Sequence, residues 1–215
     1  MNKTTCLQRV LLLSASPRIK GTSVMLLERI RKQVQGELVH LYLEETETIL
    51  EKMKAAETIV ISGPCYINGY PGALQRLLEA AHEKAPWEGQ KLYGIINGGM
   101  PYVHTHRSGV DSLKLFSSQC GFSWMGGFVL GGGAMLDGGP LEKHLSAKKV
   151  VPAFEQFVKC IAEGQPSPDA LYEEAQTPPG KVMTHVFAGL LSFMMSRKLK
   201  KYAYVLKMRR PHSKK

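Results

Sequence analysis

Several common signatures are missing from this 215-residue sequence. Its four cysteines lie far apart and form no CxxC pair, which argues against a zinc or iron–sulfur site built from a local motif. No apolar run approaches the roughly 18 residues needed to span a bilayer, and the N-terminus has no signal-peptide core. Neither GxxxxGK[ST] nor GxGxxG occurs. These absences predict a cytoplasmic protein with no resident metal and no ordinary dinucleotide fingerprint.

Acidic residues are also missing from residue 181 onward. The chain carries 28 Lys and Arg against 18 Asp and Glu, a formal net charge of +10. Ten of those cations lie in 181–215, which leaves 18 cations to balance the 18 acids of residues 1–180. Because the body is neutral, the composition disfavours a nucleic-acid-binding face on it. The excess charge marks the C-terminal segment as a basic appendage.

The C-terminal region is predicted to be separate from the body. Residues 166–180 hold four prolines and are typical of a linker, so the sequence predicts a domain over 1–165 and a helical tail over 181–215. In the tail, Val186 and Phe193 recur at helical spacing before the basic run RKLKK. An interfacial helix on an anionic membrane surface fits this pattern. A helix packed on the body or on a dimer partner fits it as well, and a protein or nucleic-acid partner remains a further alternative.

Hydrophobic periodicity predicts five strands that alternate with five helices. The predicted strands cover 9–14, 37–43, 58–62, 92–96 and 123–130, and the predicted helices cover 22–35, 46–56, 71–84, 108–120 and 146–162. Such alternation requires a parallel sheet with helices on its faces. The sequence therefore predicts an α/β three-layer sandwich of strand order 2-1-3-4-5, with a less common rearrangement of the strands as the alternative.

The loop after the first strand has the chemistry of an anion site. Ligands of such sheets bind beyond the carboxyl ends of the strands, where the strand order reverses between strands 1 and 3. Loop 1 (residues 14–23) offers Ser16, Arg18, Thr22 and Ser23 beside the start of a helix, whose free amides carry partial positive charge. A phosphate group suits this loop. A simple helix cap beside solvated cations is the alternative.

The loops after strands 3 and 4 suit a flat ligand. Loop 3 (residues 63–72) brings tyrosines and an asparagine to the same edge of the sheet, and the glycines of loop 4 (residues 97–102) allow close approach of the backbone. Ordinary turn chemistry explains each loop taken singly. Two further segments, 101–108 and 130–140, are candidates for a cover over the site. His104 and His106 form an HTH pair, but no third metal ligand is suggested nearby.

Three stretches together resemble a known family. They are SASPRIKGTS at 14–23, ILEKMKAAETIVISGPCYINGYPGALQRLLE at 49–79 and GIINGG at 94–99. The sequence is similar over residues 1–160 to the flavodoxin-like NAD(P)H-dependent FMN reductases and quinone reductases. This resemblance implies noncovalently bound FMN, with its phosphate on Ser16, Arg18, Thr22 and Ser23. The residues that would lie against the isoalloxazine or its edge are Pro64, Cys65, Tyr66, Ile67, Asn68, Asn97, Gly98, Gly99 and Met100.

The resemblance also implies a reaction. NAD(P)H would reduce the flavin, and a quinone or similar small molecule would then accept the electrons in a ping-pong order, with no side chain needed as a catalyst. Candidates to line the substrate pocket are Tyr70, Tyr102, His104 and His106. A homodimer is a further implication. The alternatives are a flavodoxin-type electron carrier, which the neutral body and Arg18 disfavour, and a non-enzymatic anion- or lipid-binding module.

Overall fold

The computed structural model describes residues 9–176 and, beyond them, residues 180, 185, 186, 189, 193 and 196. Strands and helices alternate along the first range. The strands are β1 (Val10–Ser14), β2 (Gly36–His40), β3 (Thr58–Pro64), β4 (Lys91–Asn97) and β5 (Ser123–Leu130). The helices are α1 (Thr22–Arg31), α2 (Thr46–Ala55), α3 (Gly72–Glu83), α4 (Arg107–Cys120), α5 (Ala147–Glu163) and the single turn α6 (Ala170–Glu173).

The five strands form one parallel sheet in the order β2-β1-β3-β4-β5, which confirms the predicted flavodoxin-like α/β architecture. The inner strands read as continuous apolar runs because helices cover the sheet, and all five residues of β1 are buried. Ser14 pairs with His40 on one side and with Ser62 on the other. The carboxyl ends of β1, β2 and β3 therefore lie at one edge.

Two predicted boundaries differ from the structure by three residues or more. Helix α1 ends at Arg31 rather than at residue 35, and β2 ends at His40 rather than at residue 43. β1 ends at Ser14, the partner of His40, so the chain has no strand to pair with beyond that point. Gly36 is the first residue of β2 and not a helix stop. A Cβ atom there would lie 3.0 Å from the carbonyl oxygen of Val10, so the sheet itself favours glycine.

Aromatic side chains fill the core on the β5 side of the sheet. Phe128 on β5 makes an edge-to-face contact with Phe154 of α5, with ring centroids 5.1 Å apart, and a second with Tyr172 of α6 at 6.1 Å. All three side chains are fully buried. Such pairs contribute roughly 0.5–1.5 kcal/mol beyond the burial of their area, so α5 and α6 are both held against β5.

The chain divides into two compact units, Met1–Thr177 and Pro178–Lys215. Residues 166–176, which the sequence assigns to a linker, pack in the first unit: the Ser167 amide donates to the Met125 carbonyl at 2.7 Å, and Tyr172 is buried. The packed part thus continues past the boundary predicted at 165. The predicted tail lies outside the described residues, except for five single positions that are helical. None of the helices in the described part of the chain has the length and hydropathy needed to span a bilayer.

Candidate functional site

The start of α1 has no side-chain cap. Its N-cap is Gly21, which has no side chain to cap the first amides, and no acidic residue lies in the first turn. The neighbouring loop is fixed locally, because the Arg18 amide donates to Ser16 Oγ at 3.1 Å. Uncapped amides at a helix N-terminus attract anions. Loop 1 therefore has the geometry of an anion site.

Arg18 is the cation of this loop. Its guanidinium lies 2.6 Å from Asp137 Oδ1, and both side chains are more than half exposed. Exposed ion pairs of this kind contribute only about 0–1 kcal/mol. Arg18 can therefore exchange the carboxylate for a phosphate at little cost.

The hydroxyl groups of Thr22 and Ser23 are engaged inside the protein. Thr22 Oγ1 donates to the Gly133 carbonyl at 2.8 Å and accepts from the Gly138 amide at 3.3 Å. Since a hydroxyl has one proton to donate, Thr22 cannot donate to a ligand without leaving Gly133. Ser23 Oγ accepts from Asn97 Nδ2 at 2.8 Å, and Ser23 is only 2% exposed. The Thr22 proton is therefore used within the protein and the Ser23 hydroxyl is buried against Asn97, so the amides of these two residues, at the uncapped start of α1, are the groups left for a ligand.

Asn97 joins the three loops. From the end of β4, its Nδ2 donates to Ser23 Oγ in loop 1 and to the Gly63 carbonyl in loop 3 at 3.1 Å. Its backbone carbonyl accepts from the Cys65 amide at 2.7 Å. Asn97 is 4% exposed, so these bonds are made away from water, where an unpaired polar group is costly. The predicted convergence of loops 1, 3 and 4 is thus a direct hydrogen-bonded contact.

Loop 3 projects as a tight hairpin. The Tyr66 amide donates to the Gly69 carbonyl at 2.7 Å, and the two turn residues between them, Ile67 and Asn68, have positive φ angles of 51° and 64°. Ile67 is fully exposed and Tyr66 is 51% exposed. A β-branched residue in the left-handed region is strained, so the loop presents an apolar tip at a conformational cost. Burial raises the pKa of the Cys65 thiol, which is therefore neutral at pH 7.

Two of the four substrate-lining candidates are buried. Tyr70 is 4% exposed, and its hydroxyl donates to the Ile95 carbonyl at 3.0 Å. His106 is also 4% exposed, and its Nε2 donates to the Met100 carbonyl at 3.0 Å. Both side chains support the loops from within. Tyr102 is half-buried and His104 is exposed, with ring centroids 5.6 Å apart.

The two glycines of loop 4 differ in their surroundings. Gly98 is buried against the imidazole of His106, and a Cβ atom there would lie 2.1 Å from that ring. Gly99 is exposed, and a Cβ atom there would find its nearest neighbour, Ala134, at 3.9 Å. Met100, 47% exposed, follows them. A flat ligand can therefore approach the backbone at Gly99, whereas Gly98 is needed for internal packing.

A fourth segment, which we name the β5 loop (residues 131–138), was not assigned to the site from the sequence. The Gly132 amide donates to the Met100 carbonyl at 2.7 Å, and the Ala134 amide donates to the Gly98 carbonyl at 3.1 Å. With the bond from Thr22 to Gly133, this segment connects loop 4 to the start of α1. The only sequence signal was its glycine content, which suggested a cover. In the structure it is tied down by these hydrogen bonds.

No candidate metal site is found in the described part of the chain. Among those residues, no three His, Cys, Asp or Glu side chains come together where they could hold an ion.

Comparison with known proteins identifies the family. The family model described as NADPH-dependent FMN reductase matches residues 8–135. The chain belongs to this family. The match confirms the resemblance noted from the sequence, and it covers loops 1, 3 and 4 and most of the β5 loop.

Individual relatives agree with the family. The FMN reductase (NADPH) of Escherichia coli (strain K12) is 28% identical over an alignment of 109 residues, and the match covers 42% of this chain and 56% of that protein. The chain thus matches only about half the length of that relative. An NADH:FMN oxidoreductase in its apo form has the same fold, with a TM-score of 0.58 and 15% identity over 77% of this chain and 94% of its own. An FMN-dependent NADH-azoreductase from Bacillus anthracis, solved in complex with FMN, has a TM-score of 0.56 and 15% identity, and the match covers 72% of this chain and 99% of that one.

Proposed function

We propose that this protein is an FMN-dependent oxidoreductase that uses NAD(P)H to reduce a quinone or a similar small acceptor. The observation that carries the proposal is the junction at Asn97, which holds loops 1, 3 and 4 together at the switch point between β1 and β3. Family membership and the names of the relatives above support FMN as the cofactor and NADPH as the reductant.

In this proposal the phosphate of FMN binds at the start of α1, where no side chain caps the first amides. There the amides of Thr22 and Ser23 carry the helix charge, and the Arg18 guanidinium provides the counter-charge. Ser16 Oγ accepts the Arg18 amide and so retains its own proton for a phosphate oxygen. This set keeps Ser16 and Arg18 as predicted, and it replaces the side chains of Thr22 and Ser23 with their backbone amides.

The isoalloxazine fits between loops 3 and 4. Gly99 leaves the backbone of loop 4 accessible, and Tyr66 and Met100 present exposed apolar surface at the same edge. Pro64, Cys65, Ile67 and Asn68 complete the loop 3 side in this proposal. The chemistry supplied by bound FMN is uptake of a hydride from NAD(P)H and transfer of the electrons to an acceptor. The chain's own residues bind and orient the ring, and the neutral Cys65 thiol adds no negative charge beside it.

Ping-pong turnover requires that NAD(P)H and acceptor occupy the same space in turn. Tyr102 and His104 stand beside loop 4 as candidates to line that space. A homodimer remains part of the proposal, because Ile19, Tyr66, Ile67, Met100 and Met135 all expose apolar side chains on loops beyond the strand ends. Cytoplasmic location and contact of the basic tail with an anionic membrane remain predictions from the sequence.

The proposal is tested first by flavin binding and reduction. We expect the purified protein to bind FMN and the bound flavin to lose its visible absorbance when NADPH or NADH is added without oxygen. Addition of a quinone should then restore the absorbance. In steady-state assays, double-reciprocal plots should give the parallel lines of ping-pong kinetics. A protein that binds FMN but is not reduced by either nucleotide is a carrier. A protein that does not bind micromolar FMN contradicts the proposal.

Replacing Arg18 with alanine tests the phosphate position. We expect Arg18→Ala to weaken FMN binding about tenfold, the equivalent of about 1.4 kcal/mol. Riboflavin, which lacks the phosphate, serves as the matched ligand, and its affinity should not change. Titration of both flavins by fluorescence quenching gives the two dissociation constants. Equal losses for FMN and riboflavin would place the phosphate elsewhere.

A further inference from the structure

We propose that Gln176 is a positioning residue that fixes the β5 loop, so that this loop can brace loops 1 and 4 around the flavin. The connection to FMN rests on the proposed function, but the bracing itself is a property of the chain alone. Gln176 lies beyond residue 135, where the match to the family model ends.

The side chain of Gln176 is buried against the edge of β5. Its Nε2 donates to the Val129 carbonyl at 2.7 Å and to the Tyr172 carbonyl at 3.0 Å, and its Oε1 accepts from the Gly131 amide at 2.8 Å. Gln176 is only 5% exposed. Both amide protons and the oxygen are therefore satisfied. The side-chain amide pairs with β5 as the backbone of a neighbouring strand would, at the point where the strand ends.

Gly131 is held from its other side as well. Its carbonyl accepts from His144 Nε2 at 2.7 Å, and His144 Nδ1 in turn accepts from the Ser146 amide at 3.1 Å. This second bond keeps the proton of the neutral imidazole on Nε2, where Gly131 needs it. Gly131 also packs closely against loop 4, since a Cβ atom there would lie 2.7 Å from the Pro101 carbonyl oxygen.

The residues that follow Gly131 carry this fixed position to the site. Gly132 and Ala134 donate to the carbonyls of Met100 and Gly98 in loop 4, and Gly133 accepts from Thr22 at the start of α1. Loss of the Gln176 amide would leave the Gly131 amide and the Val129 carbonyl buried and unpaired. Because such groups are costly, we expect the end of β5 to move outward toward water. The braces to loops 1 and 4 would then open more often.

The test compares two variants with a matched control in the full-length protein without flavin. Gln176→Met keeps the length of the side chain but has no amide, and Gln176→Asn keeps the amide on a side chain that is one methylene shorter. The control, Tyr93→Phe, removes a buried hydroxyl that donates to the carbonyls of Cys160 and Gln165. We expect the Gly132 and Ala134 amides to exchange with deuterium at least tenfold faster in Gln176→Met than in Tyr93→Phe. Gln176→Asn should fall between them.

The same variants are then titrated with FMN. We expect the dissociation constant to rise at least tenfold in Gln176→Met and to stay at the wild-type value in Tyr93→Phe. Unchanged exchange at Gly132 and Ala134, or exchange accelerated equally in β1, overturns the inference. If Gln176→Met does not fold, Gln176→Asn decides by the same two measurements. A wild-type protein that fails to bind FMN rejects the proposed function, while the exchange rates still decide whether Gln176 braces the loops.

Discussion

Replacement of Gly98 by alanine is expected to lower the free energy of unfolding by about 3 kcal/mol, because the new methyl group has no space. The added Cβ atom would lie 2.1 Å from His106 Cε1 and 2.3 Å from Nε2. His106 is buried, so its ring cannot turn away without leaving the Met100 carbonyl. Urea unfolding of the protein without flavin measures the loss.

The neighbouring glycine provides the control. Gly99→Ala places its methyl group 3.9 Å from the nearest atom, in ordinary contact distance, so its unfolding free energy should stay within about 0.5 kcal/mol of the wild type. The double variant Gly98→Ala/His106→Ala should recover part of the stability lost by Gly98→Ala, since the clashing ring is gone. Equal losses for the two single variants, or no recovery in the double variant, would contradict the packing described for Gly98.

Replacement of Asn97 by leucine is expected to weaken both the fold and flavin binding. Leucine is similar in size but donates no hydrogen bond, so the buried Gly63 carbonyl and Ser23 hydroxyl both lose the Nδ2 donor. Each such loss costs roughly 1–3 kcal/mol, and we expect the unfolding free energy to fall by about 2–4 kcal/mol. Since the same bonds join loops 1, 3 and 4, the dissociation constant for FMN should rise at least tenfold.

A buried hydrogen bond at the opposite edge of the sheet from the carboxyl ends of the strands separates these two effects. Ser117 is fully buried, and its hydroxyl donates to the Phe122 carbonyl at 3.1 Å, just before β5 begins. Ser117→Ala should cost about 1 kcal/mol of stability and leave the affinity for FMN unchanged. If Ser117→Ala weakens FMN binding as much as Asn97→Leu does, the junction at Asn97 has no special role. Calorimetric titration with FMN, at a temperature where both variants are folded, makes the comparison.

The sequence was sufficient to predict the sheet and the loops that meet at its carboxyl edge. The limits of β5 were predicted as Ser123 to Leu130 and are found there. Alternating strands and helices admit few right-handed parallel topologies, so the order 2-1-3-4-5 and the meeting of loops 1, 3 and 4 followed from the pattern. The residues of loop 1 and loop 4 were therefore located correctly before any distance was known.

The individual partners of the side chains could not be predicted in this way. Thr22 is bound to Gly133, which lies 111 residues further along the chain, and local spacing contains no information about such a pair. Tyr70 was a candidate to line the substrate pocket. It is buried because Gly63 and Gly109 leave a slot for its ring, with their hypothetical Cβ atoms at 2.7 and 3.4 Å from it.

The role of residues 166–176 was hidden by composition. Prolines at 166 and 168 indicate a linker, but Ser167 between them is buried, and so are Tyr172, Ala175 and Gln176 after them. Pro is compatible with the edge of a sheet, since an edge strand does not require every amide. A short apolar pattern within a proline-rich segment was therefore too weak a signal to compete with the linker interpretation.

The segment that covers the outer edge of β5 also affects whether molecules of this protein can pair through their sheets. β5 is the last strand in the sheet order, and its outer edge is occupied by the Ser167 amide and the Gln176 side chain. A fragment cut at residue 165 would leave the peptide groups of that edge unpaired, and bare edges recruit strands from other molecules. Residues 166–176, which follow α5, therefore protect the outer edge of β5 from pairing with a strand of another molecule.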